Sequence, residues 1–409
     1  MTIRVAIIGG GIHGTLVALN LAQLGIEADI FEARPELWGG ATFAGEGKIH
    51  LGYVYGHAND ETLVSLLQTA QRFSEDFEAS LQRRLDWDNL TSSPFEYGIP
   101  ETSLISGETF QRHAIRIAEL AKDQPNRTHI SYLGKELPLG EILARQTDQA
   151  DRFCTPERAV DMPALKTMVL NAIDDNSSIA VHAATRVTEA SFQAGRWTLT
   201  CQSTGNQSTL DECCGEVAFD RSFDYVVNCA WENAAFLDHK LDQTPDFSPD
   251  GSLPNLRLRL FVHAQSDAPP TALTLTLGRF GDYVVFPDGR TYASWYPSGL
   301  LGFSQSLQPP SDWTNLESQV DATEYVSSVI DALSQWVPDV RRISNPSVHA
   351  RIVVARGQTD IDDPASQLHQ RSAHGLAITG SWISVRSYKL TTAPATARLV
   401  YEHLKEFTR

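Results

Sequence analysis

Arg4-Val-Ala-Ile-Ile-Gly-Gly-Gly-Ile-His-Gly14 opens the chain. Residues 4–9 begin as a β-branched apolar run, the pattern of a strand buried on both faces of a parallel sheet. Gly9-Gly-Gly11-Ile-His-Gly14 then fits G-x-G-x-x-G. Thr15 to Leu24 supplies Leu16, Val17, Ala18, Leu19 and Leu21 for a helix, and Gly25 ends it. Glu27-Ala-Asp-Ile-Phe31 is a second strand, closed by Glu32. Gly9 permits the tight turn, Gly11 lets the backbone approach a pyrophosphate, and Gly14 lets the helix pack on the strand. The helix N-terminus offers N–H groups and a positive dipole end to phosphate. Glu32, 18 residues after Gly14, is placed to accept ribose hydroxyls and disfavours a 2′-phosphate. Strand, glycine turn, helix, strand and acid in register read as a dinucleotide-binding unit.

The remaining composition narrows the class. The chain has 409 residues, long enough for two or three domains. Its formal net charge is −17, which argues against a nucleic-acid groove and an anionic membrane surface. The five cysteines, Cys154, Cys201, Cys213, Cys214 and Cys229, form no disulfide framework and no zinc spacing, so no metal site is expected. The apolar start carries three consecutive glycines and a histidine and does not read as a signal peptide. The expectation is a cytoplasmic protein with no membrane or nucleic-acid partner.

After Glu32 comes Ala33-Arg34-Pro-Glu-Leu-Trp-Gly39-Gly40-Ala41-Thr42, with a Gly-Gly turn where a nicotinamide dehydrogenase would start another helix. On these residues the sequence resembles the FAD-dependent D-amino-acid oxidase/glycine oxidase/sarcosine oxidase (DAO) family. Its members follow Glu-Arg with a Gly-Gly-x-Ser/Thr turn around the FAD diphosphate. The resemblance implies an α/β fold, with a Rossmann-like FAD-binding domain of glutathione-reductase type interleaved with an antiparallel-sheet α+β substrate domain. It implies FAD contacts at Gly9, Gly11, Ile12, His13, Gly14, Glu32, Ala33, Arg34, Gly40, Ala41, Thr42, Val187, Ala230, Gly380, Lys389, Leu390 and Thr391. Lys48 and His50, in Glu46-Gly-Lys48-Ile-His50-Leu-Gly-Tyr53, stand where the family passes beside the flavin. Some relatives attach flavin through a later cysteine; no cysteine follows Cys229, so FAD is expected to be non-covalent.

Further along, 60–85 and 107–122 have helical apolar spacing, with His113 as a core or surface residue of the second. A helix over 163–174, a strand over 179–182, a hairpin around Gly195, a polar stretch over 202–216 and a strand over 223–230 follow the family order. Trp231 stands where the family usually has glycine. Leu256-Arg-Leu-Arg-Leu-Phe-Val-His alternates as a half-exposed strand should. Strands near 273–278, 283–286 and 291–296 continue an antiparallel sheet, with Tyr292, Trp295 and Tyr296 as core or pocket aromatics. A surface helix is expected over 321–336. A strand over 348–355 is expected to return to the first domain, followed by an acidic turn over 356–363 near the cofactor. Gly375–Gly380 reads as a buried strand, 381–392 as a loop, and Ala393-Pro394 as a helix start. In sarcosine-oxidase-like relatives a lysine of that loop binds the substrate carboxylate, and Lys389 matches it. The family's loop glycines are absent, and Arg386 offers a second, bidentate anchor.

The expected domains are 1–90, 150–235 and 345–409 for FAD, and 91–149 with 236–344 for substrate. The expected activity is oxidation of a C–N bond of an amino acid or other amine, with Lys48, His50, Arg386 and Lys389 as candidate catalytic residues. Oxygen or another acceptor would reoxidise the flavin. Oxidation of a 2-hydroxy acid, with His50 as base, is the alternative. A flavoprotein with a non-redox binding role is a third reading.

Overall fold

The computed structural model describes residues 2–122, 128–149, 151–204, 217–241, 253–372, 374–387 and 389–408. Strand β1 (Arg4–Ile8), helix α1 (Ile12–Ala22) and strand β2 (Glu27–Phe31) form where the sequence places them. They start a six-stranded sheet in the order Ile179–His182, β2, β1, Tyr225–Asn228, Trp382–Arg386, Gly375–Thr379. The first five run parallel and the last is antiparallel. The register sets Ile8 beside Phe31 and Asn228, and Asn228 beside Ser384, so four strand C-termini share one edge.

The helices pack by burying an apolar face. Asp60–Leu81 is capped by Asn59, whose side chain accepts from Thr62 N at 2.9 Å, and buries Leu63, Leu66, Leu67, Ala70, Phe73 and Phe77. Gly107–Lys122 has the expected bounds and buries Phe110, His113, Ala114 and Ile117. Met162–Asp174 is capped by Asp161, which accepts from Ala164 N at 2.9 Å. The C-terminal helix Ala393–Lys405 packs on α1 and on Asp60–Leu81. The hairpin of Thr185–Gln193 and Arg196–Ser203 joins Val217–Phe223 in a three-stranded sheet. Most of the expected polar stretch, 205–216, lies outside the described residues, as do Cys213 and Cys214; Cys154, Cys201 and Cys229 are free thiols.

The second sheet has nine strands. Its spine is Asn255–Ser266, which pairs antiparallel with Leu300–Gln305, Arg290–Trp295 and Ile343–Ala355. Gly281–Val285 and Thr271–Leu275 extend it, and Phe95–Gly98 adds on in parallel. Ala322–Leu333 turns Tyr325, Val329 and Leu333 onto this sheet. Tyr292 and Tyr296 are buried core residues. Among the described residues no helix is long and apolar enough to cross a membrane.

Four expectations are corrected. The spine strand is not half-exposed: Arg257 is only 5% exposed, because its guanidinium faces Tyr296 OH at 3.3 Å and Asp360 at 3.8 Å. Asp360 of the acidic turn is thereby engaged, and Arg279 pairs with both Asp360 and Asp362. Ile343–Ala355 does not return to the first sheet, since it pairs along the whole spine. Arg152–Cys154, expected with the first domain, pairs with Phe95–Gly98. Finally, Trp382–Arg386 is the buried strand, and Gly375–Thr379 is the partly exposed edge.

Candidate active site

The shared strand edge ends in the glycine turn. Gly9 has φ +107°, and a Cβ there would lie 2.4 Å from Cys229 O. A Cβ at Gly14 would lie 1.9 Å from Gly9 O. The turn, the neighbouring strand and the start of α1 thus touch through backbone alone. Gly11 is the N-cap of α1 and supplies no side-chain cap of its own. Thr42 Oγ1 accepts from Ile12 N at 3.2 Å, tying the second glycine turn to the first. Gly40 precedes the short helix Ala41–Ala44. Glu32 holds the other side: its Oε2 accepts from Gly10 N at 2.7 Å and its Oε1 from Arg34 N at 2.8 Å. Each carboxylate oxygen keeps a lone pair for a further donor. Ala33 O accepts from the Thr204 hydroxyl, and Arg34 Nη2 lies 3.9 Å from Glu232 Oε1.

A small cleft lies against this turn and is lined by His13, Cys229, Trp231, Glu232, Arg386 and Ser387. His13 Nε2 is buried with no hydrogen-bond partner. Burial pulls the His13 pKa down to about 4. Trp231, at the family's glycine position, has φ +48°, the left-handed backbone that glycine would take freely. Its Nε1 donates to Ile352 O at 2.9 Å. Ala230 sits beside the turn, 3.2 Å from where a Gly9 Cβ would be. Val187 packs in a small cluster with Ile8 and Phe31. Gly380 is a correction: it forms the hairpin before Trp382, at the end of the strand opposite the glycine turn.

The same histidine burial gives a pH dependence. His263 is also held down to about 4, by burial first and then by His349. Both rings stay neutral in the folded chain while the unfolded chain takes up protons below about pH 6.5. Their stabilisation is present above the unfolded pKa and is lost as pH falls through 6.5 towards 4. Thermal melts over that range are expected to fall less steeply for His263→Gln than for the parent chain; parallel curves would contradict this.

The second half of the site lies where Trp382–Arg386 leads into the last helix. Leu390–Thr392 forms a single turn before Ala393. Thr391 Oγ1 accepts from His50 N at 2.9 Å. Lys389 Nζ lies 3.4 Å from His50 Nε2, and 5.4 Å from the Tyr55 ring centroid. Arg371 reaches the same ring, its guanidinium carbon 5.6 Å from the centroid. His50 is buried, and its pKa sits well below the usual imidazole value, through burial first and then Lys389, Lys48 and Arg371. Behind the ring, buried Glu157 accepts from Leu51 N at 2.5 Å, from Gly52 N at 3.0 Å and from Tyr97 OH.

The sequence candidates therefore divide. His50, Lys389 and Thr391 come together at the start of the last helix, and Arg386 lines the cleft beside His13. Lys48 is corrected from a substrate contact to an ion-paired core residue. Its ammonium turns into the nine-stranded sheet, onto Thr274 Oγ1, Asp282 Oδ1 at 3.2 Å and the Phe95 ring at 4.0 Å. Sequence reasoning missed Tyr55, Glu157 and Arg371. No periodicity marks them, and the partners of Glu157 and Arg371 are remote in the chain.

This geometry fits a dinucleotide: backbone close to the turn, a helix whose N-cap is glycine, an acid after the second strand and a buried nitrogen without a partner. A protein-family model described as FAD dependent oxidoreductase (DAO) matches residues 4–403. The chain belongs to this family, and it is an enzyme whose cofactor is FAD. Glycine oxidase from Geobacillus kaustophilus is similar at TM-score 0.63 and 15% identity, with 100% of this chain and 96% of that one covered. L-amino acid deaminase from Proteus myxofaciens, in complex with anthranilate, gives TM-score 0.62 and 13% identity, covering 99% and 90%. L-alpha-glycerophosphate oxidase from Mycoplasma pneumoniae, with FAD bound, gives TM-score 0.59 and 14% identity, covering 99% and 95%. At these identities the likeness is one of fold. No curated protein matches the sequence.

Proposed function

We propose that the protein oxidises the C–N bond of a small amino acid or amine bearing a carboxylate, which Lys389 anchors. The observation that carries this reading is the ammonium of Lys389. Among the described residues its hydrogen-bond partner is the His50 ring, and no acid pairs with it. A half-buried cation beside an uncharged imidazole and an aromatic face is a receptor for an anionic group. Arg371, on the same aromatic ring, and Arg386, in the cleft, add positive potential. In this reading the six-stranded sheet and its helices form the FAD-binding unit, of glutathione-reductase type, and the nine-stranded sheet covers the substrate.

FAD, when bound, accepts the hydride from the carbon that bears the nitrogen. The protein supplies the rest. Gly9–Gly14, Glu32 and Thr42 would hold the dinucleotide end, while Leu390, Thr391 and the start of the last helix present N–H groups and a positive dipole end to the ring end. Lys389 fixes the carboxylate, and His50 stands beside it in the neutral form that takes a proton. Burial around His50, Tyr55 and Thr391 excludes water.

A second reading, oxidation of a 2-hydroxy acid, is favoured by the same neutral His50, which would take the hydroxyl proton. Anaerobic mixing of the flavin-loaded protein with amino acids, carboxylate-free amines and hydroxy acids separates the two. Bleaching by amino acids is expected, with Lys389→Met raising the half-saturating concentration about tenfold or more, as loss of one charge-assisted anchor requires. Bleaching by hydroxy acids alone would transfer the assignment to the second reading. Equal response of Lys389→Met and the parent chain would remove Lys389 from the substrate.

A further inference from the structure

The pair behind the flavin-facing loop is His50 and Glu157. Lys389 Nζ is 3.4 Å from His50 Nε2. An ammonium only donates, so Nε2 carries a lone pair, and the proton of the neutral ring sits on Nδ1. His50 Nδ1 is buried without a hydrogen-bond partner. The nearest acid is Glu157, its Oε2 at 4.0 Å, and that carboxylate is fully buried. Every hydrogen bond to Glu157 comes from a donor: Leu51 N, Gly52 N and Tyr97 OH. Three donors fit an ionised carboxylate, and two of them belong to the backbone immediately after His50.

We propose that Glu157 is a positioning residue: it fixes the loop carrying His50, holds the ring as the Nδ1–H tautomer, and leaves Nε2 to accept the substrate proton once the Lys389 ammonium turns from it to the substrate carboxylate. This inference rests on the reading of the site given above. The step it serves is a proton transfer. An N–H bond of the substrate ammonium breaks, its electron pair stays on nitrogen, and the proton bonds to His50 Nε2. The resulting imidazolium has Nδ1–H directed at a carboxylate, and the substrate amine is left with the lone pair that hydride departure requires. The proton later leaves to solvent, and no electrons move in this step.

The charges around the ring frame the balance. Lys389 comes from the loop before the last helix, Lys48 from the strand just before His50, and Arg371 from the segment before the edge strand; all three oppose a proton on His50. Tyr55 packs edge-on at 5.5 Å between ring centroids. Glu157 is the acid nearest the ring among the described residues. A bound substrate carboxylate would offset Lys389 and leave Glu157 to favour the imidazolium.

The test uses the flavin-loaded protein with ¹⁵N-labelled histidine. The His50 signals are identified by their loss in His50→Gln. The neutral ring is expected as the Nδ1–H tautomer in the parent chain. In Glu157→Gln the amide oxygen still accepts from the loop, but its NH2 faces Nδ1, so the opposite tautomer is expected to grow. An Nε2–H ring in the parent chain, or an unchanged ratio in Glu157→Gln, overturns the proposal. Flavin reduction gives the second arm. Glu157→Gln is expected to slow reduction about tenfold or more and to move the acid limb of its pH profile lower, with little change in half-saturating substrate. Glu157→Asp should recover part of the rate. An unmoved limb with an unchanged rate also overturns it. If the parent flavin is reduced by neither amines nor hydroxy acids, the functional reading fails, and the nitrogen spectra still decide the role of Glu157.

Discussion

Gly9→Ala is expected to purify without its flavin and to melt well below the parent chain. Two costs meet at this residue. Its φ of +107° lies where an L side chain is strained, at about 1–2 kcal/mol. The new Cβ would also stand 2.4 Å from Cys229 O and 2.8 Å from Cys229 C, both backbone atoms. No rotamer relieves that contact, so β1 and Tyr225–Asn228 must separate where their ends meet. Overpacking of this kind costs about 1–3 kcal/mol. The sum is about 2–5 kcal/mol, and even the lower end weakens binding more than tenfold if it falls on the cofactor turn. The ratio of visible flavin absorbance to protein absorbance, with a thermal melt, reads both effects. A stoichiometric, normally melting Gly9→Ala would contradict the backbone-contact account.

The second large effect is expected at Asp282. Its partner Lys48 has a side chain only 1% exposed, with Asp282 Oδ1 at 3.2 Å. Burial alone would pull the Lys48 pKa down, but the carboxylates of Asp282, Glu46 and Glu157 outweigh it and the net direction is up. Asp282→Leu removes the nearest of these and leaves a buried ammonium with a hydroxyl and an aromatic face. Breaking a buried pair from one side costs about 3–5 kcal/mol. Because the folded pKa of Lys48 is raised, the stabilisation is fully present below the unfolded lysine pKa. It is lost only as pH rises through the folded value. The deficit of Asp282→Leu should therefore be flat over about pH 6–9. Lys48→Met with Asp282→Leu should recover much of it, since a matched apolar pair leaves no charge stranded. Denaturant midpoints test this. An Asp282→Leu chain within about 0.5 kcal/mol of the parent would return Lys48 to the list of substrate contacts.

The parts of this molecule legible in sequence are those with local causes. The βαβ unit is written in consecutive residues, and Gly107–Lys122 in its apolar spacing. The errors have a common origin in polar residues satisfied far away. Trp382-Ile-Ser-Val-Arg386 does not read as a central strand because Ser384 interrupts it. In the fold Ser384 donates to the buried Asp238 carboxylate, which also accepts from Trp382 Nε1 at 2.7 Å. Gly375-Leu-Ala-Ile-Thr379 reads as the central strand because it is apolar, yet it lies at the sheet's edge. Arg257 reads as solvent-facing because its partners, Tyr296 and Asp360, are not near it in sequence. Glu157 is hidden for the same reason, its backbone donors being 105 and 106 residues away. Lys389 and His50 are legible only through the family resemblance, and the fold brings them together.

The proposed reaction of this FAD enzyme is the oxidation of a C–N bond. The most direct measurement is a single anaerobic turnover with matched pairs, an amino acid and the hydroxy acid of the same carbon skeleton, following flavin bleaching and released nitrogen together. The expected result is bleaching by the amino acid, with one ammonia or free amine released for each flavin reduced. Bleaching by the hydroxy acid alone, or flavin reduction with no nitrogen released, would contradict it.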